Sequence, residues 1–393
     1  MKMKIGCLIC LLAVCTAFSQ TNEGVSLLTG TETVCAVTNE PVSSPVYVTR
    51  MPPVPKTTYV PKNSPDTLQR FIDLADPGDE LVVAPGIYDI GGRQHNHAGP
   101  ATRLVIDKPL TLRSAEGPGK TIIAGGPATR CIYMTNGVQV IGFTITGGET
   151  MKEGPEGNKF TALSGGGVWS EQNSVLMNCV LSSNTALWYG GGLYGGSAIG
   201  CIFTENTARR SGGGASKARL SSCLVQYNRA DLFGGGTHHS ELHNCTVTHN
   251  RSDVSGGGAA FGSAQNTVLH HNQTRLIGHN FFDVDMSYCC SMPKARGPGN
   301  IGAEPGFKNT DQGVFSLTYD SPMIDAGTNY VLQAEDLIGN PRLLDGNNNR
   351  HSRVDIGAYE YVHPKADSDG DGIPDIREIA AMNKAGHAER PAE

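Results

Sequence analysis

The chain has 393 residues, enough for one large domain or two to three ordinary ones. Fifty are glycine, only 6% are aromatic and 17% are charged, a balance that suggests many tight turns and few long solvated helices. A net charge of -6 argues against a general nucleic-acid binder, which carries a basic patch or a high pI.

Taken in chain order, residues 1–19 read as an export leader. Lys2 and Lys4 precede an apolar run that is too short for a membrane span, and Ala17-Phe18-Ser19 offers a small-x-small cleavage site. Cys15 keeps a lipid-anchored alternative open. Residues 20–60 are rich in Thr, Val and Pro without periodicity, as in a linker or an extended wrap. A short helix is then expected, with Ser64 as its cap, Pro65 in its first turn, and Leu68, Phe71, Ile72 and Ala75 as its apolar face. Its place before the first strand suits the covered end of a solenoid.

From Gly165 onward the sequence repeats. Cys179, Cys201, Cys223 and Cys245 lie 22 residues apart, as do Asn184, Asn206, Asn228, Asn250 and Asn272. Gly triplets begin at Gly165, Gly190, Gly212, Gly234 and Gly256. Apolar residues recur three before each Asn (Leu181, Phe203, Val225, Val247, Leu269) and three before most Cys (Leu176, Leu220, Leu242, with Ala198 as the small exception). Short runs with period two, and no helical period, predict coils of short strands stacked in parallel. In that stack Cys fills a small interior position, Asn bonds along a ladder at a bend, and Gly serves the tight corner. The ladder cysteines are then free buried thiols, since side chains pointing the same way bridge poorly. Cys35, Cys289 and Cys290 fall outside the ladder, with no assigned redox state.

Several segments carry a resemblance. "DPGDELVVAPGIYD" looks like the start of pectate-lyase-like right-handed parallel β-helix proteins. The Gly triplets with apolar-x-x-Asn, as in Phe203–Asn206, resemble the repeats of chlamydial polymorphic outer-membrane proteins. "SPMIDAGTN" (Ser321–Asn329) and "VDIGAYEY" (Val354–Tyr361) are similar to the closing segment of exported bacterial β-helix proteins described as choice-of-anchor Q. The resemblance implies an all-β, right-handed, single-stranded parallel β-helix over residues 61–361, bacterial and secreted or held at the cell surface. It does not imply one chemistry.

Residues 362–393 form the last segment. In "DSDGDGIPDIRE", Asp367, Asp369, Asp371, Ile373 (through its carbonyl), Asp375 and Glu378 fall in the ligand order of an EF-hand loop, so Ca2+ is the expected cofactor. No leading helix precedes it, because Pro364 interrupts the approach. The segment resembles thrombospondin type 3 and dockerin-like loops, and its expected role is structural.

Outward positions supply the candidate site. Glu205, Tyr227, His249 and His271 each precede a ladder Asn, Arg229 and Arg251 follow one, and Asp231 and Asp253 lie three beyond. Two readings stand. One is an exported or cell-surface β-helix that presents a rigid face to a glycan or partner. In that reading Glu205, Asp231, Asp253, His249 and His271 bind. The other is a polysaccharide lyase, with Tyr227, Arg229 or Arg251 as base and a cation on Asp231 and Asp253 to acidify the C–H beside a uronate. The same charges also serve a solvated face that stabilises stacking. The scarcity of exposed aromatics favours binding. His249 and His271 are in register for a metal but lack a third ligand. His238 and His239, adjacent on a strand, are expected on opposite sides. The sequons at Asn244 and Asn250 coincide with repeat positions. No transmembrane helix is expected, and the oligomeric state is open.

Overall fold

The structure is a computed structural model that describes residues 54–62, 67–95, 99–154, 156–308 and 315–388, together with the short segments 19–21 and 24–26. It divides into two units, Met1–Val54 and Pro55–Glu393. In the first, Ser19–Thr21 pairs antiparallel with Gly24–Ser26. Residues 1–18 of the expected leader segment, Cys35 and the expected Ser64-Pro65 helix start lie outside the described residues.

The second unit is a parallel β-solenoid. Its first strand, Thr57–Val60, pairs in parallel with Glu80–Val83, just ahead of the boundary drawn from the sequence at residue 61. Three ladders of interior side chains run up the stack. One is Leu104, Ile132, Val168, Leu193, Ala215, Thr237 and Ala259. A second is Leu112, Val140, Leu176, Ala198, Leu220, Leu242 and Ala264. The third is Ile123, Ile145, Leu181, Phe203, Val225, Val247 and Leu269. All of these are buried, so the alternating pattern of each coil is spent on a continuous core.

Corners are set by left-handed residues. In the coil after Gly212 they fall at Gly212, Lys217, Ser222 and Tyr227, five residues apart, and the next coil repeats them at Gly234, His239, Asn244 and His249. Among the described residues, eighteen non-glycine residues have positive φ, an uncommon conformation at about 1–2 kcal/mol each, which surrounding contacts must over-determine. The residue after a corner turns inward, which is where Cys223 and Asn228 sit.

The Asn ladder bonds end to end. Nδ2 of Asn184 donates to Oδ1 of Asn206 at 2.9 Å, Asn206 to Asn228 at 2.9 Å, Asn228 to Asn250 at 2.9 Å and Asn250 to Asn272 at 3.0 Å. Asn280 extends it beyond the sequence repeat. The Gly triplet has separate reasons at each position. Gly212 needs φ +71°, while a Cβ on Gly213 would lie 2.3 Å from the Arg229 carbonyl and one on Gly214 2.8 Å from that of Gly236.

The ladder cysteines Cys179, Cys201, Cys223 and Cys245 are free and buried, as expected, and so, among the described residues, are Cys131, Cys289 and Cys290. One expectation is corrected. Val268 pairs with Cys290, so Cys289 stands opposite Thr267 and belongs to the ladder, with Thr267 in the cysteine's place one coil earlier. Its thiol donates to the carbonyl two residues before it, as do those of Cys201, Cys223 and Cys245.

The helix Leu68–Leu74 lays Leu68 and Ile72 on the core. Its Gln69 accepts from Val105 N at 2.7 Å and donates to Val105 O at 3.0 Å, acting on the first coil as a strand would. At the far side, residues 315–361 lie along the outside of several coils. Leu224 packs with Phe315, Ala358 and Tyr359, and Val268 and Cys290 pack with Leu317, Met323 and Ile356. Ala358 N donates to Thr246 Oγ1, and Arg342 Nη2 to Ser222 Oγ. Both closing motifs singled out in the sequence lie in this strap.

Candidate functional site

The short ladder Thr207, Arg229, Arg251 and Gln273 runs on the outer surface beside the Asn column. Its β-geometry alternates, so Ala230 and Ser252 point in while the arginines point out. Two residues further, Asp231 and Asp253 return to the same side. Arg229 Nη2 meets Asp253 at 2.9 Å and its Nε lies 3.5 Å from Asp231. Arg251 and Arg275 lie 3.9 and 3.4 Å from Asp253, and Arg209 lies 3.7 Å from Asp231. The structure therefore brings together the four charged residues expected at one edge. It adds Arg209 and Arg275, so four guanidiniums face two carboxylates, a surplus of two positive charges. The carboxylates are the more covered partners, while the guanidiniums reach into solvent.

Glu205, Tyr227, His249 and His271 form the adjoining corner column, all with positive φ. Ser183 Oγ donates to Glu205. Tyr227 is exposed and its ring lies 5.3 Å from that of His249, which lies 5.4 Å from that of His271. His249 also rests against Phe315 of the strap, and burial lowers its pKa. His271 Nε2 lies 3.0 Å from Glu304. Of the four, only His249 is half-buried, and Glu205, Tyr227 and His271 are exposed.

Two features escaped the sequence. Tyr133, Trp169 and Tyr194 stack face to face at 5.0 and 6.2 Å, with His95 on Tyr133 at 3.7 Å. The intervals between them are unequal because the early coils carry insertions, so no repeat marks them. Next to this stack a polar notch of about 290 Å³ opens at another corner, lined by Gln172, Asn173, Lys217, Arg219, His239 and Glu241. His238 and His239 do not point apart. The left-handed turn at His239 brings their rings to 4.4 Å, and burial followed by the charges of His239 and Lys217 lowers His238 to about 3. The sequon asparagines Asn244 and Asn250 are buried.

In the C-terminal loop, oxygens of Asp367, Asp369 and Asp371 converge within 4.8 Å of one another. Their outer bonds go to backbone N–H groups of the same loop: Asp367 to Gly370 and Gly372, Asp371 to Ile373. Desolvation, then the charges of Asp369 and Asp371, holds the Glu378 carboxyl above its usual value. Asp375 is engaged differently. Both of its oxygens accept from Ser368, at the start of the helix Asp375–Ala388. Residues 362–366 form no helix ahead of the loop.

No family model matches this chain, and no curated protein matches it. Among solved structures it is similar to the pectate lyase Pel9A, at 13% identity and TM-score 0.41, over 79% of this chain and 97% of that one. It is similar to a pectin methylesterase in complex with hexasaccharide VII, at 11% identity and TM-score 0.30, over 59% of this chain and 78% of that one. An alginate lyase from Paenibacillus sp. str. FPU-7 aligns at 12% identity and TM-score 0.23, over 58% of this chain and 99% of that one. The chain is a parallel β-solenoid. Its own strand register establishes that, and none of these likenesses assigns its chemistry. Among the described residues no helix is long and apolar enough to cross a membrane.

Proposed function

We propose that this chain is an exported or cell-surface β-solenoid that holds an acidic glycan along its charged strip. The observation that carries the reading is the surplus of guanidinium on a rigid, solvent-facing row. Arg229 and Arg251 are partners on neighbouring coils, at the roughly 4.8 Å of adjacent strands, and Arg209 and Arg275 stand on the coils to either side in the column of Asp231 and Asp253. Such a row meets repeated carboxylates without paying for its own ordering. Asp231 and Asp253 hold the guanidiniums in place, while Glu205, Tyr227, His249 and His271 shape the border.

Ca2+ in the C-terminal loop is part of this reading. Three converged carboxylates, with Glu378 disfavoured as an anion by desolvation and then by its acidic neighbours, fit a hard divalent cation. Asp367, Asp369, Asp371 and Glu378 would hold it, with the Ile373 carbonyl, and Asp375 would act from beside Ser368. The expected role is to stiffen the tail. Calcium should slow proteolysis of residues 362–388, and Asp369→Asn should abolish the protection.

The test of the main reading is affinity electrophoresis in gels containing polygalacturonate, alginate or a neutral glucan. The acidic gels should retard the wild-type chain, and Arg229→Gln with Arg251→Gln should release it. Equal retardation by the neutral glucan, or no effect of the double variant, would sink the strip. The lyase reading is tested on the same polymers. Calcium-dependent growth of absorbance at 235 nm, lost in Arg229→Ala or Arg251→Ala, would replace binding with β-elimination. Against that reading, the N–H groups of Arg229 are committed to Asp231 and Asp253, which poorly suits a proton acceptor.

A further inference from the structure

Where the regular coils end, two consecutive histidines meet an acidic residue from the loop that follows. His270 ends the strand Val268–His270, and His271 is the next corner, with φ +57°. In an extended strand their side chains would part. The left-handed turn instead brings the rings to 4.4 Å, nearly perpendicular to each other. Glu304 reaches both: Oε2 lies 3.0 Å from His271 Nε2 and 3.8 Å from His270 Nδ1.

We propose that His270, His271 and Glu304 form a binding site for a zinc-class divalent metal ion, distinct from the C-terminal acidic loop. Three observations converge on it. The three ligand atoms lie within 4.8 Å of one another. The two distances to Oε2 bracket the about 3.3 Å that separates ligands around a tetrahedral zinc with bonds of about 2.0–2.1 Å. The third is His270 itself. It is 4% exposed, yet neither ring nitrogen has a hydrogen-bond partner. Leaving such a group unpaired is costly, and a metal on Nδ1 would remove part of that cost. Burial, then His271, also lowers the pKa of His270, which keeps the imidazole in its ligating form.

The donor set selects the ion. Two imidazoles and one carboxylate suit zinc, copper or nickel, whereas calcium and magnesium take oxygen shells. Three protein ligands leave a coordination position open, and His271 and Glu304 are exposed, so that position faces solvent. Bound metal would tie the loop carrying Glu304 to the last regular coil.

The experiment titrates the full chain, in excess calcium, with Co2+ alone and follows visible absorption, then displaces the cobalt with Zn2+. One equivalent should give the intense bands of a low-coordinate site, and zinc should bleach them. His271→Asn keeps a residue suited to the left-handed corner, and Glu304→Gln alters an exposed side chain, so both variants should fold with unchanged circular dichroism. Each should weaken metal binding about 100-fold or more. Asp369→Asn should leave it unchanged. Absence of one-equivalent binding, or binding that survives both first variants or is lost in Asp369→Asn, would overturn the site.

Discussion

Asn228 shows how much one ladder residue does. Its amide donates to Phe203 O, Gln226 O and Asn250 Oδ1, and its oxygen accepts from the N–H and side chain of Asn206. Asn228→Ala should therefore leave several buried groups unpaired and cost about 2–4 kcal/mol, read as a lower urea midpoint. Cys223→Ala removes only a thiol and should cost about 1 kcal/mol. Burial pushes the thiols of Cys131 and Cys289 up to about 12. The native chain should accordingly leave these two unreactive toward a thiol reagent at neutral pH until it is denatured. Gly235→Ala is expected to be more severe than either substitution. Its Cβ would lie 2.3 Å from the Arg251 carbonyl and 2.4 Å from that of Gly257, so two coils would have to separate.

At the scale of the element, the strap is held by buried carboxyl groups and one buried guanidinium. Arg342 Nη1 donates to Glu360 at 2.8 Å, with both side chains almost fully covered. Asp355 accepts from the N–H groups of Asp325 and Tyr361, and Asp336 accepts from those of Ile338, Asn340 and Glu360. Burial raises Asp355 to about 7, and burial followed by the charge of Asp355 raises Glu360. The native state therefore holds protons that the unfolded chain releases near pH 4. This contribution is complete below about pH 4 and is lost as pH rises through 7, an effect of order 4 kcal/mol for Asp355. Hydrogen exchange at Gly357 and Ala358 should be faster at pH 8 than at pH 5, after correction for intrinsic rates. Equal protection at both pH values would contradict the assignment. Arg342→Met should expose the same segment by stranding Glu360.

For the whole molecule, the consequence of stacking is that each coil relies on its neighbours, while the strap ties distant coils together. Ser222, Thr246 and Asn266, on three successive coils, all bond residues between 328 and 358. Removing residues 315–393 should uncover Leu224, Val268 and Cys290 and make the chain associate more than the full-length chain does, seen by light scattering.

The repeat period, the interior place of Cys, the Asn ladder at a bend, and the free state of the ladder thiols were all legible in the sequence. Each depends on local alternation and on a 22-residue interval that every coil shares. Cys289 was not legible as a ladder member, because Thr267 replaces Cys one coil earlier and breaks the visible spacing. The aromatic stack of Tyr133, Trp169 and Tyr194 was hidden by insertions that only strand pairing removes. The closing motifs were recognisable, but their contact with Thr246 and Ser222 spans more than a hundred residues. The sequence by itself determined the solenoid and which side chains face inward, because a stacked strand admits only that alternation. The tertiary structure alone decided which outward residues meet. Left-handed corners reverse the expected divergence of neighbours such as His270 and His271, and a loop 33 residues away supplies Glu304 to them.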